Sequence, residues 1–341
     1  MTDLIIAGGG PAGLATALWA SRLGLDPLVL DHRAGTIDKA CGEGLMPGAV
    51  AALAQLDIDP EGHPLTGIRY VSGHRSAAAP FRAGPGRGVR RTTLHAAMRD
   101  AVAAAGIPVE QEAVVSVRPD ETGVSVNGMR ASHLVAADGL HSPIRRMLGL
   151  EAPARRAPRR FGLRRHFAVA PWTSHVEVHW SRNAEAYVTP VGPDCVGVAV
   201  LTSERGAFDD QLKTFPALAD RLAGAPSGDV RGAGPLRQRA RRHVAGRVLL
   251  VGDAAGYVDA LTGEGIALAL AQARAAVTAI AEGRPESYER AWRSVTRRYR
   301  LLTESLLLAT RRPSLRAALV PTAQAAPVVF TGIVNTLARP A

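Results

Sequence analysis

An unbroken apolar run at residues 4–7 meets three consecutive glycines, then an apolar stretch at 14–23 and a second apolar run at 27–30. Short continuous apolar runs mark strands buried on both faces, and the longer stretch between them has helical length. The opening therefore predicts a strand, a glycine turn over 8–13, a helix and a second strand, one βαβ unit. After a polar, glycine-containing loop over 31–47, the pattern predicts a short helix over 48–56, strands within 67–81, and a helix over 92–105 that Gly106 stops. Strands are expected over 109–117, 123–126 and 133–136.

Beyond Gly149 the texture changes. A Pro/Arg-rich stretch over 151–160 is expected to cross between domains, and alternating segments at 163–169, 175–180, 186–189 and 196–201 predict an antiparallel sheet. Helical texture returns at 208–223, a strand at 247–251, a long alanine-rich helix at 265–282, and an arginine-studded helix at 287–309. The remainder is apolar with Pro313, Pro321 and Pro327 as breaks, and no internal repeat is visible. The order of nucleotide-type unit, sheet, nucleotide-type unit implies interleaved domains. One is discontinuous, over 1–66, 90–155 and 240–285; a sheet domain takes 67–89 and 156–239, and a helical tail 286–341.

Composition narrows the class. The 341 residues are 47% hydrophobic and 21% charged, ordinary for a globular enzyme. The formal charge of +11 is almost wholly arginine, since Lys39 and Lys213 are the two lysines. Such a surface suits anionic lipid, nucleic acid or a phosphorylated substrate, but no helix-turn-helix, zinc-finger or RNA-binding signature is present, so no nucleic-acid partner is expected. Cys41 and Cys195 form no disulfide framework, which makes a reducing cytoplasm the expected location. No secretory signal is expected from the first residues, and apolar runs such as 325–334 are too short to span a membrane. Oligomeric state has no signature.

Gly8-Gly9-Gly10-Pro11-Ala12-Gly13 sits between the first strand and its helix. Gly8 permits the tight turn, Gly10 lets a pyrophosphate approach the backbone, Gly13 lets helix and strand pack, and the helix N-terminus attracts negative charge. Asp31, about 20 residues on, ends the second strand where an acid accepts hydrogen bonds from the adenosine ribose. His32 and Arg33 adjoin it at the same cofactor site.

Two further motifs carry a resemblance. Asp138-Gly139-Leu140-His141-Ser142-Pro143-Ile144-Arg145 resembles the D-G-x-x-S-x-x-R fingerprint of flavoprotein aromatic hydroxylases, the class A monooxygenases, and their relatives. Gly252-Asp253-Ala254-Ala255-Gly256 resembles the G-D motif of the same superfamily, whose aspartate holds the flavin ribitol. Arg91-Thr92-Thr93-Leu94 resembles the R-x-x-L whose arginine reaches the cofactor; the alternative is a solvated arginine. The resemblance spans residues 1 to about 285 and implies a Rossmann-like three-layer α/β domain binding FAD, interleaved with an antiparallel substrate sheet. Val114 is a further expected cofactor contact.

Lys39-Ala40-Cys41-Gly42-Glu43-Gly44 and Leu261-Thr262-Gly263-Glu264-Gly265-Ile266 look more like the geranylgeranyl reductase branch. That likeness implies Cys41 and Gly42 near the isoalloxazine ring, and Gly263, Gly265 and Ile266 at a helix start by its pyrimidine edge. Glu264 is either part of that site or a helix-start acid. The aromatic substrate motif of that branch is degraded to Glu185-Ala186-Tyr187-Val188-Thr189-Pro190, and the hydroxyls at Tyr187 and Thr189 suit a phenol or polyketide. Cys41 and Tyr187 are thus the candidate catalytic residues. Strand alternation puts His175, Glu177 and His179 on one face, as pocket lining or as a solvated sheet face; no metal is assigned.

The leading expectation is a single-component monooxygenase: NADPH or NADH visits transiently to reduce FAD, oxygen forms a flavin hydroperoxide, and an aromatic ring takes one oxygen atom. The alternatives are a reductase of isoprenoid or lipid double bonds and, on the same fold, a prenyl-binding escort without catalysis. In the tail, arginines flank 306–308, 319–320 and 328–330, which fits either helices completing the core or peripheral attachment to a membrane and gating of a lipid substrate.

Overall fold

The computed structural model describes residues 2–153 and 158–339. Thr2–Ala7 lies mid-sheet, parallel to Pro27–Leu30 on one side and Met129–Ala136 on the other. Val109–Glu110 and Val248–Leu250 extend the sheet in parallel at its two flanks. Helices Pro11–Arg22, Arg91–Ala104 and Gly265–Ala281 pack against it, and Leu4, Ile5 and Ile6 are all buried, which is why their run carries no polar alternation. The strand ends converge on the glycine loop at 8–13 and on Asp138 and Gly252, the crevice where doubly wound sheets bind ligands.

The second sheet runs Arg231–Ala233, Phe161–Phe167, Cys195–Thr202, Ala184–Gly192, His175–Trp180, Gly67–Ser72, Arg75–Pro80. Its pairings are antiparallel except that between His175–Trp180 and Gly67–Ser72. The mixed α/β architecture expected from the sequence is therefore present, with the chain passing between the two sheets more than once.

Two local expectations change, and a third is not tested. Residues 109–117 do not make one strand: the Asn127 side chain accepts hydrogen bonds from the amides of Val115 and Ser116, at 2.9 and 3.1 Å, where a ladder partner would. The helix expected over 208–223 is two, Phe208–Leu212 and Pro216–Leu222, because Pro216 offers no amide to continue the first. The crossing expected over 151–160 includes 154–157, outside the described residues.

After the long helix Tyr288–Thr310 come Pro313–Ala325 and Pro327–Leu337, bent 105° against each other. Pro321 stays inside its helix. Among the described residues no single helix is long and apolar enough to cross a membrane. The last two helices pack on the hairpin of the second sheet, with Phe330 4.7 Å from Tyr70 between ring centroids.

Candidate functional site

The glycine loop is sterically obligatory. A Cβ at Gly13 would lie 1.8 Å from the Gly8 carbonyl oxygen, and one at Gly8, which has φ +109, would lie 2.5 Å from that of Ala137. Around Gly10 a Cβ would meet nothing within 4 Å, and no side chain caps the helix that starts at Pro11, so Gly10, Pro11 and Ala12 line an open approach to the helix N-terminus. The Asp31 carboxylate accepts from the Gly9 amide at 2.6 Å and from the Arg33 amide and Nε at 2.8 and 2.9 Å. Burial pushes its pKa up, but these hydrogen bonds hold it below the ordinary value. His32 is exposed and Val114 packs against the main core; neither lines the cavity described below.

His95, on the helix Arg91–Ala104, escapes a reading by motif. It accepts from the Ile37 amide at 3.2 Å through Nδ1, which leaves Nε2–H to donate to the Gly9 carbonyl at 2.8 Å, so a neutral ring props the glycine loop. Burial holds its pKa below the usual histidine value.

Arg145 joins the second and third motifs. Fully buried, it donates to the carbonyls of Ala254 (2.8 Å) and Leu140 (2.9 Å) and to Gln238 Oε1 (3.2 Å). Ser142 caps the Arg145 amide at 2.9 Å, and Asp138 accepts from the Ile144 amide at 3.0 Å. Burial raises the Asp138 pKa, and its Oδ1 has no partner. Gly252, at φ +61, donates to Gln272 Oε1 at 2.8 Å, which fixes the turn that presents Asp253; Lys39 Nζ stands 3.4 Å from the Asp253 carboxylate.

Part of this set borders one cavity of about 910 Å³, while Gly8, Gly13, Asp31, His95 and Arg145 are not among its lining residues. Gly10, Pro11, Ala12, Arg33, Arg91, Asp138, Gly252 and Asp253 border it, and Cys41, Gly42, Gly263, Gly265 and Ile266 do so as well. Most of the remaining wall is apolar and comes from the second sheet (Ile68, Tyr70, Val176, Val178) and the tail (Leu302, Leu306, Leu315, Leu319, Val329, Phe330, Ile333, Leu337), with Ser305 and Thr322 among the tail residues. The valines of the fifth strand of that sheet face the cavity. His175, Glu177 and His179 point the other way, where Glu177 accepts from Trp172 Nε1 at 3.0 Å and pairs with His179 at 3.1 Å, so the idea that they line the pocket is overturned.

Tyr187 borders the cavity, but its hydroxyl donates to the Leu261 carbonyl at 2.6 Å, and burial pushes its pKa well above 10. Its hydrogen thus holds the 261–266 loop. Thr189 likewise donates to the Gly42 carbonyl, at 2.8 Å. Cys41 Sγ accepts from the Glu43 amide at 3.4 Å, and its thiol is pushed up by burial, with Glu43 adding to the rise and Arg91 opposing it.

The residues fit FAD on their own chemistry. An uncapped helix start, the buried Asp138 Oδ1 and the buried Arg91 Nε all lack partners at one cavity, and a dinucleotide offers a pyrophosphate and hydroxyls to meet them.

Residues 1–287 match the FAD binding domain family. The menaquinone reductase of Mycolicibacterium smegmatis is 30% identical over 330 residues, covering 85% of this chain and 79% of that protein. Digeranylgeranylglycerophospholipid reductase 2 of Methanosphaera stadtmanae is 28% identical over 297 residues, covering 79% and 75%. Among solved structures, the flavin-dependent brominase Bmp2 superposes with a TM-score of 0.84 at 17% identity over 99% of this chain and 93% of that one, a likeness of fold.

Proposed function

This chain belongs to the FAD binding domain family and is an FAD-dependent oxidoreductase, and from that premise we propose that it saturates isolated double bonds in a long isoprenoid chain. The observation that carries this reading is the cavity, whose cofactor end continues into a wall of leucine, valine, isoleucine and phenylalanine from the tail helices. A wall in which leucine, valine, isoleucine and phenylalanine predominate suits a hydrocarbon chain, because most polar groups placed there would lose their water without compensation. The reductases of menaquinone and of digeranylgeranylglycerophospholipid among the relatives agree with it.

Oxygen insertion into a phenol remains the second reading. It draws on the resemblance of the D-G motif to that of the aromatic hydroxylases; the hydroxyls of Tyr187 and Thr189, which suited a phenol, both donate to main-chain carbonyls of neighbouring loops.

Reduced FAD supplies a hydride, for which NADPH or NADH is the proposed source. The chain's own part is binding, orientation, exclusion of water and one proton. Asp253, Arg91, Asp138 and the glycine loop hold the cofactor; Cys41, on the cavity wall, holds a proton on Sγ, since burial keeps the thiol neutral. Saturation needs one hydride and one proton, and the thiol is the proposed proton source, replaceable by water at a slower rate. Cys41→Ala should keep bound flavin and slow turnover roughly 10²-fold; unchanged turnover removes Cys41 from the proton supply.

The test is anaerobic incubation with a chemical reductant and prenyl lipids. A product heavier by about 2 mass units per double bond, two hydrogens, supports saturation. A product heavier by about 16, formed from a phenol in air, supports the second reading.

A further inference from the structure

Glu43 lies in the cysteine loop, is 4% exposed and has φ +60, a left-handed conformation rare outside glycine. Buried carboxylates are uncommon, and this one is gripped from two elements. Its Oε1 accepts from the Arg91 amide at 2.8 Å and its Oε2 pairs with His166 Nε2 at 2.7 Å. Arg164 Nη1 stands 3.0 Å from His166 Nδ1; an arginine can only donate, so Nδ1 accepts and the ring hydrogen sits on Nε2, pointing at Glu43. Arg164 Nε is 4.0 Å from Glu43 Oε1, and Arg164 also pairs with Asp38, which Arg231 meets at 3.0 Å.

Both oxygens of Glu43 therefore face donors, the pairing a carboxylate makes. The second sheet makes room for it at Gly197, where a Cβ would lie 2.7 Å from Glu43 Oε2. Glu43, Arg164 and Arg91 all border the cavity that holds Cys41, Gly263 and Asp253.

We propose that Glu43, oriented by His166 and Arg164, is a fixed negative charge at the redox site that sets the reducing strength of the bound flavin. Reduction of a flavin places negative charge on its ring, so a nearby carboxylate disfavours the reduced form and makes it a stronger reductant, as hydride delivery to an unactivated alkene requires. A nearby guanidinium acts in the opposite sense. The inference rests on FAD occupying this cavity and not on which substrate follows it.

The experiment is the flavin midpoint potential of FAD-loaded protein, read by dye equilibration without any substrate, so failure of the isoprenoid reading leaves it intact. Glu43→Gln keeps the shape and removes the charge. It should raise the potential by about 30 mV, a tenfold change in the ratio of oxidised to reduced flavin for a two-electron couple. Arg164→Gln removes the opposing charge and should lower it. An unchanged or lowered potential in Glu43→Gln overturns the proposal, as does a shift of the same sign in both variants, the mark of a loop merely disordered. Should one variant lose its flavin, the sign in the other decides; loss in both would show that the cluster holds the cofactor site together, and would equally overturn it.

Discussion

At the scale of single residues, partnerless buried groups are the most informative feature of the site. Asp253 is presented by a glycine turn with positive φ and bordered by Lys39, and as the proposed ribitol acceptor its loss leaves cofactor hydroxyls unsatisfied. Asp253→Ala should weaken FAD binding by roughly 1–3 kcal/mol, visible as flavin lost on gel filtration at low protein concentration; wild-type flavin content removes Asp253 from the site. Glu264, at the start of the helix Gly265–Ala281, is pushed up to about 8 by burial, with Oε2 unpartnered. A carboxyl raised from 4.5 binds its proton more tightly in the folded than in the unfolded chain, so it stabilises the fold below 4.5 relative to high pH. That contribution is lost as pH rises from 4.5 through about 8. The loss is on the order of a few kcal/mol. Glu264→Gln should therefore show a smaller fall in melting temperature between pH 6 and pH 9 than the parent protein, and identical pH profiles would mean that Glu264 titrates normally.

At the scale of elements, what was legible depended on sequence distance. The βαβ unit could be read because apolar runs and the glycine loop are adjacent, and Gly8 and Gly13 have no space for any side chain. The D-G and G-D motifs were also readable, but not what joins them: Arg145 reaches across more than 100 residues to the Ala254 carbonyl, and His95 props a loop 86 residues away. The cavity was hidden for the same reason. Its apolar wall exists only once the tail folds back onto Ile68 and Tyr70, and within the tail's own sequence a lining residue looks like a core residue. The tail is pinned there by Arg316, which pairs with the wholly buried Glu185 at 2.8 Å and donates to the carbonyls of Ser181 and Ala184 at 2.6 Å each. Deletion after Pro313 should then strip the cavity wall and leave Glu185 with one arginine fewer, giving a protein with a lowered melting temperature and no isoprenoid binding. A truncation that melts like the full chain would mean that these helices are an appendage.

At the scale of the whole molecule, two sheets traversed alternately by one chain put the cofactor loops between them, so neither sheet carries the site alone. The tail leaves Leu301 and Leu308 exposed on one helix, within four residues of the exposed Arg297, Arg311 and Arg312, and Val328 exposed on another, on a chain of net charge +11. Exposed apolar residues with arginines close to them in sequence, on the helices that wall the cavity, suit peripheral docking on an anionic bilayer. Leu308→Glu together with Val328→Glu should reduce sedimentation with anionic vesicles while leaving bound flavin intact; undiminished sedimentation would put the membrane contact elsewhere. The central claim concerns the acceptor of the flavin's electrons, and stopped-flow reoxidation tests it most directly. Protein reduced without oxygen is mixed either with an isoprenoid lipid or with aerated buffer containing a phenol. We expect the lipid alone to restore the oxidised flavin spectrum, with a saturated product. Reoxidation that requires oxygen, together with an oxygenated phenol and an untouched isoprenoid, would contradict the account.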